Sequence, residues 1–161
     1  MSATGNRLAP AQRVLRNWLD NLIEVESRMG HHGTATWVHR SVYELVATHG
    51  SWCKPAALPP RIGQLPARGC FANAAAIERE HPRLVYTEGF AVDDSPLPTI
   101  HAWCTDTEGR VVDPTWPDPQ DGAYLGIALP PALRPRAPYY RGVLVAPASL
   151  YPLLRKGLQS S

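Results

Sequence analysis

Residues 99–116 read TIHAWCTDTEGRVVDPTW, and the turn at their centre decides the fold around it. Two runs rich in β-branched and aromatic residues, 99–105 and 110–116, flank Asp106-Thr107-Glu108-Gly109. Those four residues fit a type I turn with glycine in the left-handed position, a three-residue hairpin loop with a bulge. The loop length sets the register: Asp106 pairs with Arg110, Cys104 with Val112, and Trp103 with Asp113. His101 and Asp113 then stand on one face of adjacent strands as diagonal neighbours, within reach of each other's side chains. A loop of two or four residues would put them on opposite faces. By the same alternation Cys104 points away from His101 and reads as structural.

Upstream, LVYTEGFAV at 84–92 has the composition of a third strand. Before it, CFANAAAIEREH is Ala-rich and helix-forming, opens at Cys70 and is stopped by Pro82. The stretch SWCKPAALPPRIGQLPARG at 51–69 holds four prolines and two glycines, so it reads as an ordered loop that delivers the chain to Cys70. Residues 10–29 place Val14, Leu15, Trp18, Leu22, Val25 and Met29 on one helical stripe behind Pro10. Trp37, Val38, Val42, Tyr43, Leu45 and Val46 predict a second helix ending at Gly50. Downstream, 117–138 is Pro-rich around an apolar island, AYLGIAL; YYRGVLVA at 139–146 reads as a last strand and Pro147 to Lys156 as a short closing helix. The predicted class is α+β, with N-terminal helices packed on a small antiparallel sheet. One domain spans 1–161, with its core at about 37–146 and tails at 1–9 and 157–161.

Composition excludes several classes of function. A chain of 161 residues with 44% hydrophobic and 19% charged residues folds as one globular unit. Its 17 prolines and 12 glycines exclude a coiled coil. No apolar run is long enough to span a bilayer and the first residues lack the apolar core of a secretory signal, so a cytoplasmic location and no membrane partner are expected. A net charge of +2, without basic residues interleaved with aromatics, argues against nucleic-acid binding. After Asp121 only bases remain, Arg134, Arg136, Arg141, Arg155 and Lys156, which reads as a solvated surface. Cys53, Cys70 and Cys104 are an odd set without CxxC spacing, so neither a disulfide framework nor a zinc site is expected. His31-His32 lack a third ligand at suitable spacing and read as a polar inter-helix loop.

One thiol is placed for chemistry. Cys70 follows Gly69 at a helix start, where unpaired backbone N–H groups favour the thiolate, the nucleophilic form. Such a nucleophile needs a base, and the base needs an orienting group. His101 and Asp113 supply both in the hairpin.

GCFANA at 69–74, YTEGFA at 86–91, HAW at 101–103 and VVDPTW at 111–116 together resemble the papain-like cysteine catalytic domains, in particular their transglutaminase-like branch. The resemblance covers about residues 64–117. In that branch a Cys opens a helix, a His lies in an H-x-W strand and an Asp in a D-P-T strand end, positions held here by Cys70, His101 and Asp113. It implies acyl transfer or hydrolysis at an amide bond through a thioester on Cys70, with a protein or peptide-like amide as substrate and no cofactor. An amine in place of water as second substrate would give a transglutaminase-type transfer. Beside the backbone N–H of Cys70, Gln64 is a candidate oxyanion donor, because papain-like enzymes place a Gln at a similar offset. Asn73, one turn after Cys70, either hydrogen-bonds near the thiol or caps a backbone group. Trp103 either walls the substrate cleft or fills the core, and Trp116 is similar. The rival readings are a catalytically inert binding module on this fold and a metal enzyme using the same three side chains as ligands.

Overall fold

The computed structural model describes residues 7–29, 33–134 and 141–158. Four helices cover one face of a curled five-stranded antiparallel sheet, and loops cover much of the other. The helices are α1 (Pro10–Met29), α2 (Val42–His49), α3 (Cys70–Glu80) and α4 (Pro147–Lys156). The strands are β1 (Ser51–Cys53), β2 (Val85–Val92), β3 (Thr99–Thr105), β4 (Val111–Val112) and β5 (Ala123–Ala128), in spatial order β1-β5-β2-β3-β4.

The central hairpin has the predicted register. Cys104 faces Val112 and Thr105 faces Val111. The loop closes with the Asp106 N–H donating to the Arg110 carbonyl at 3.0 Å, and Gly109 takes φ 77°, the left-handed value only glycine adopts without strain. The Arg110 guanidinium adds a 2.7 Å bond to the Asp106 carboxylate.

Sheet alternation divides the interior in two. Tyr86, Phe90, Ala102, Cys104, Val112, Leu125 and Ile127 join Leu15, Leu19, Leu45, Val46, Ala74 and Ile77 of the helices in the main core. On the opposite face Cys53, Ala91, Trp103, Val111 and Tyr124 form a second, smaller cluster with Trp116 packed against it. Facing strands put His101 opposite Gly89, and Gly89 opposite Gly126, so a row without side chains crosses the sheet beside the imidazole. Trp103 lies over that row: a Cβ on Gly126 would stand 2.6 Å from its ring.

Several expectations need correction. The second helix starts at Val42, five residues later than Trp37, because Ser41 caps it by accepting from the Glu44 N–H at 3.2 Å. Residues 38 and 39 are drawn to α4 instead, where their N–H groups donate to the carbonyls of Arg155 and Leu154. Ser51–Cys53, placed in a loop by its proline-rich surroundings, is an edge strand on β5. The island AYLGIAL supplies β5, an interior strand between β1 and β2. Strand pairing after Arg110 stops at Val112, since Pro114 has no N–H to donate and Asp113 folds back on Thr115.

The predicted last strand is absent where it can be seen. Residues 139–140 lie outside the described residues, and 143–145 form a turn. The N–H groups of Val143 and Leu144 donate instead to the buried Glu88 carboxylate, at 2.7 and 2.8 Å. Tyr86 donates its hydroxyl to the same carboxylate at 2.6 Å.

The stripe on α1 is rotated from the one predicted: Leu15 and Leu19 are fully buried, while Val14, Val25 and Met29 are exposed. The core also extends beyond 37–146, through Leu15 and Leu19 at one end and Leu150, Leu153 and Leu154 at the other. Leu158, assigned to a tail, packs against that core. Arg134, read as part of a solvated basic surface, is ion-paired with Glu78 and lies 4.9 Å from the Tyr86 ring centroid.

Candidate active site

Three elements converge near the start of α3. The Pro-rich loop ends there, and its Leu65 N–H donates to the Pro114 carbonyl at 2.8 Å. Asn73, within the first turns of α3, donates its side-chain amide to the Pro66 carbonyl at 2.8 Å and to the Thr115 hydroxyl at 3.0 Å. The Cys70 helix is thereby tied directly to the Asp-Pro-Thr segment. Cys70 is the first residue of α3, behind Gly69, and is half-buried.

His101 projects from β3 on the face opposite the helices. Its Nε2 lies 2.8 Å from Oδ2 of Asp113, and both residues are almost fully buried. Asp113 is held on every side: Oδ2 also accepts from the Tyr124 hydroxyl at 2.9 Å, and Oδ1 accepts from the backbone N–H groups of Thr115 and Trp116, at 2.9 and 3.4 Å. A buried carboxylate without such donors would be costly, so this frame is what allows an acid in the second core. Trp116 stacks on the His101 ring, centroids 4.0 Å apart and planes 17° from parallel.

Nε2 being directed at Asp113, Nδ1 is the ring nitrogen left for the thiol. The Cys70 thiol lies close enough to the ring to bear on its charge. Burial of the ring opposes its charge. Hydrogen bonding from Asp113 and then from Cys70, together with their charges, more than offsets this and pushes His101 up to about 9. The imidazole therefore holds its proton at neutral pH. Burial, then the Asp113 charge, drives the Tyr124 phenol upward, so Tyr124 remains a donor.

The other two thiols are differently placed. Cys104 is buried on the helix side, donates to the Ala74 carbonyl at 3.2 Å, and is pushed well above the usual thiol range by burial and then by Glu78. Burial also raises Cys53. Cys70 alone of the three is not buried.

Both amide protons of Asn73 are committed to Pro66 and Thr115, so its role here is to brace the helix start. Trp103 is fully buried in the second core and walls no open cleft. Gln64 is solvent-exposed in the loop just before Leu65. His31-His32 lie outside the described residues. Tyr124 was missed because β5 was not read as a strand; the alternation of Tyr124 with Gly126, on the face of Cys53 and opposite Leu125, was the available signal.

Compared with known proteins, the chain matches no protein-family model, no curated protein and no solved structure. Among the described residues, no group of three His, Cys, Asp or Glu side chains is arranged to hold a metal ion, and no helix is long and apolar enough to cross a membrane.

Proposed function

We propose that the protein is a cysteine hydrolase or acyltransferase acting on an amide bond, with Cys70 as nucleophile, His101 as general base and acid, and Asp113 as the group that orients the imidazole. The observation that carries this reading is the buried 2.8 Å contact of His101 with Asp113, beside the Asp-Pro-Thr segment to which Asn73 ties the helix that Cys70 opens. Papain-like and transglutaminase-like domains, which the motifs resemble, use the same set of groups.

In the proposed cycle the Cys70 sulfur, its proton already held by His101, attacks the amide carbonyl carbon. Negative charge collects on the carbonyl oxygen, where the backbone N–H of Cys70 at the start of α3 is a candidate donor. Collapse of this intermediate breaks the C–N bond, His101 returns the proton to the departing amine, and a thioester remains on Cys70. Water then attacks the thioester, giving its proton to His101, and the carboxylic acid product leaves with Cys70 restored. An amine in place of water gives a new amide. Asp113 holds the ring throughout, as Asp does in other triads. The substrate expected is a protein or peptide-like amide.

The test is intact-mass analysis after brief exposure to iodoacetamide near pH 6, for wild type, Cys70→Ala and His101→Ala. Wild type should gain one adduct, lost in Cys70→Ala and slowed at least tenfold in His101→Ala. Equal labelling of Cys53, Cys70 and Cys104, or a rate unaffected by His101→Ala, would favour an inert binding module.

A further inference from the structure

A second pair of functional side chains lies outside the triad. His39 sits in the segment before α2, held to α4 by its N–H donating to the Leu154 carbonyl at 3.0 Å. His49 is the last residue of α2. Their Nε2 atoms are 3.1 Å apart, and the rings cross at 89° with centroids 5.0 Å apart. His39 is 5% exposed, whereas His49 is exposed, so the space between the two nitrogens is reachable from one side.

The other nitrogen of His39 gives the pair its direction. Nδ1 is buried without a hydrogen-bond partner among the described residues, and the nearest carboxylate oxygen, from Glu44, lies 3.8 Å away. That negative charge favours the tautomer with its proton on Nδ1 and leaves Nε2 as a lone pair aimed at His49. If His49 also carries its proton on Nδ1, two lone pairs converge on one point. Imidazole nitrogens roughly 2.0–2.1 Å from a tetrahedral ion stand about 3.3 Å apart. The pair is within a few tenths of an ångström of that spacing. A carboxylate behind the distal nitrogen of a ligand histidine is also the usual outer arrangement at metal centres, where it fixes the tautomer and raises basicity.

We propose that His39 and His49 form a two-histidine site for a borderline divalent metal ion such as zinc or nickel, with Glu44 orienting His39 and solvent completing the coordination shell. Among the described residues no third ligand of the His, Cys, Asp or Glu type joins them, so the ion exchanges with solvent. Because His39 is tied to α4 and His49 ends α2, a bound ion clamps these two parts of the helical layer together.

Calorimetric titration of the full chain with zinc chloride tests the site, comparing wild type, His49→Ala, Glu44→Gln and Cys70→Ala, with thermal unfolding as a second readout. His49 is exposed, so its replacement leaves packing intact. Wild type and Cys70→Ala should each bind one zinc ion and melt at higher temperature with it, as mass action requires. His49→Ala should lose both effects, and Glu44→Gln should bind about tenfold more weakly. The proposal is overturned if wild type binds no zinc, if His49→Ala binds it unchanged, or if binding disappears in Cys70→Ala, which would place the ion at the triad.

Discussion

Asp113 accepts from four donors in a site closed to water, and the stability of that arrangement depends on the proton held by His101. His101 is raised from 6.5 to about 9 in the folded chain, so the protonated ring favours folding. The sign follows from linkage: this contribution is complete below pH 6.5 and is lost as pH rises through 9. Its full size is on the order of 3 kcal/mol. Urea unfolding of wild type and Asp113→Asn across this range should show their stability difference shrinking by up to that amount as the solution becomes alkaline. Parallel curves would separate His101 from the acid. The pairing of His101 with Asp113 was legible in the sequence because a local turn sets it: Asp106 and Gly109 dictate the loop, and the loop dictates which residues share a face. The Tyr124 contact was not legible, since it comes from a strand that reaches the site through non-local pairing.

At the scale of elements, β5 shows why local signals ran out. Its six residues hold a central glycine, which weakens a strand by propensity, yet the strand is interior. The glycine answers a need on the sheet surface, where the Trp103 ring occupies the space a side chain at 126 would take. Gly126→Ala should force that ring toward His101 and cost about 1–3 kcal/mol, the usual penalty of overpacking. Chemical denaturation would measure the loss, and a near-ultraviolet circular dichroism spectrum would report the displaced tryptophan. An unchanged spectrum with unchanged stability would mean the row of glycines is incidental. The α3 helix, by contrast, was readable end to end from Gly69, the alanines and Pro82. The direction of α1's buried stripe was not, because Val14, Val25 and Met29 are as apolar as the residues that face the core.

Across the whole molecule, Glu88 links parts that are distant in the chain. It stands on β2 in the middle of the main core and captures the turn at 143–144. The neighbouring Gly142 lies against Phe71, the residue after Cys70, so tightly that a Cβ there would come within 2.3 Å of the ring. Glu88→Ala should leave two backbone donors unpaired and destabilise the fold by roughly 2–5 kcal/mol. For a chain of this size that lowers the melting temperature by roughly 5–15 °C, measurable by calorimetry. Glu88→Gln, which keeps one acceptor, should lose less. A melting temperature unchanged in Glu88→Ala would show that the turn is held by something else. The sequence showed Glu88 as one acid in a strand and the run GVLV as another strand; only the assembled fold shows that the carboxylate of the first takes two N–H groups of the second.

The face-to-face stack of Trp116 on His101 also gives the site an optical readout. A cationic imidazole quenches an excited indole by accepting its electron, whereas the neutral ring does so poorly. Emission from Trp116, obtained by subtracting a Trp116→Phe variant from the five-tryptophan chain, should brighten as the solution passes pH 9. A flat difference signal would mean that the ring does not titrate there. The light given off by one side chain would thus follow the charge state of its neighbour in solution, with no substrate in hand.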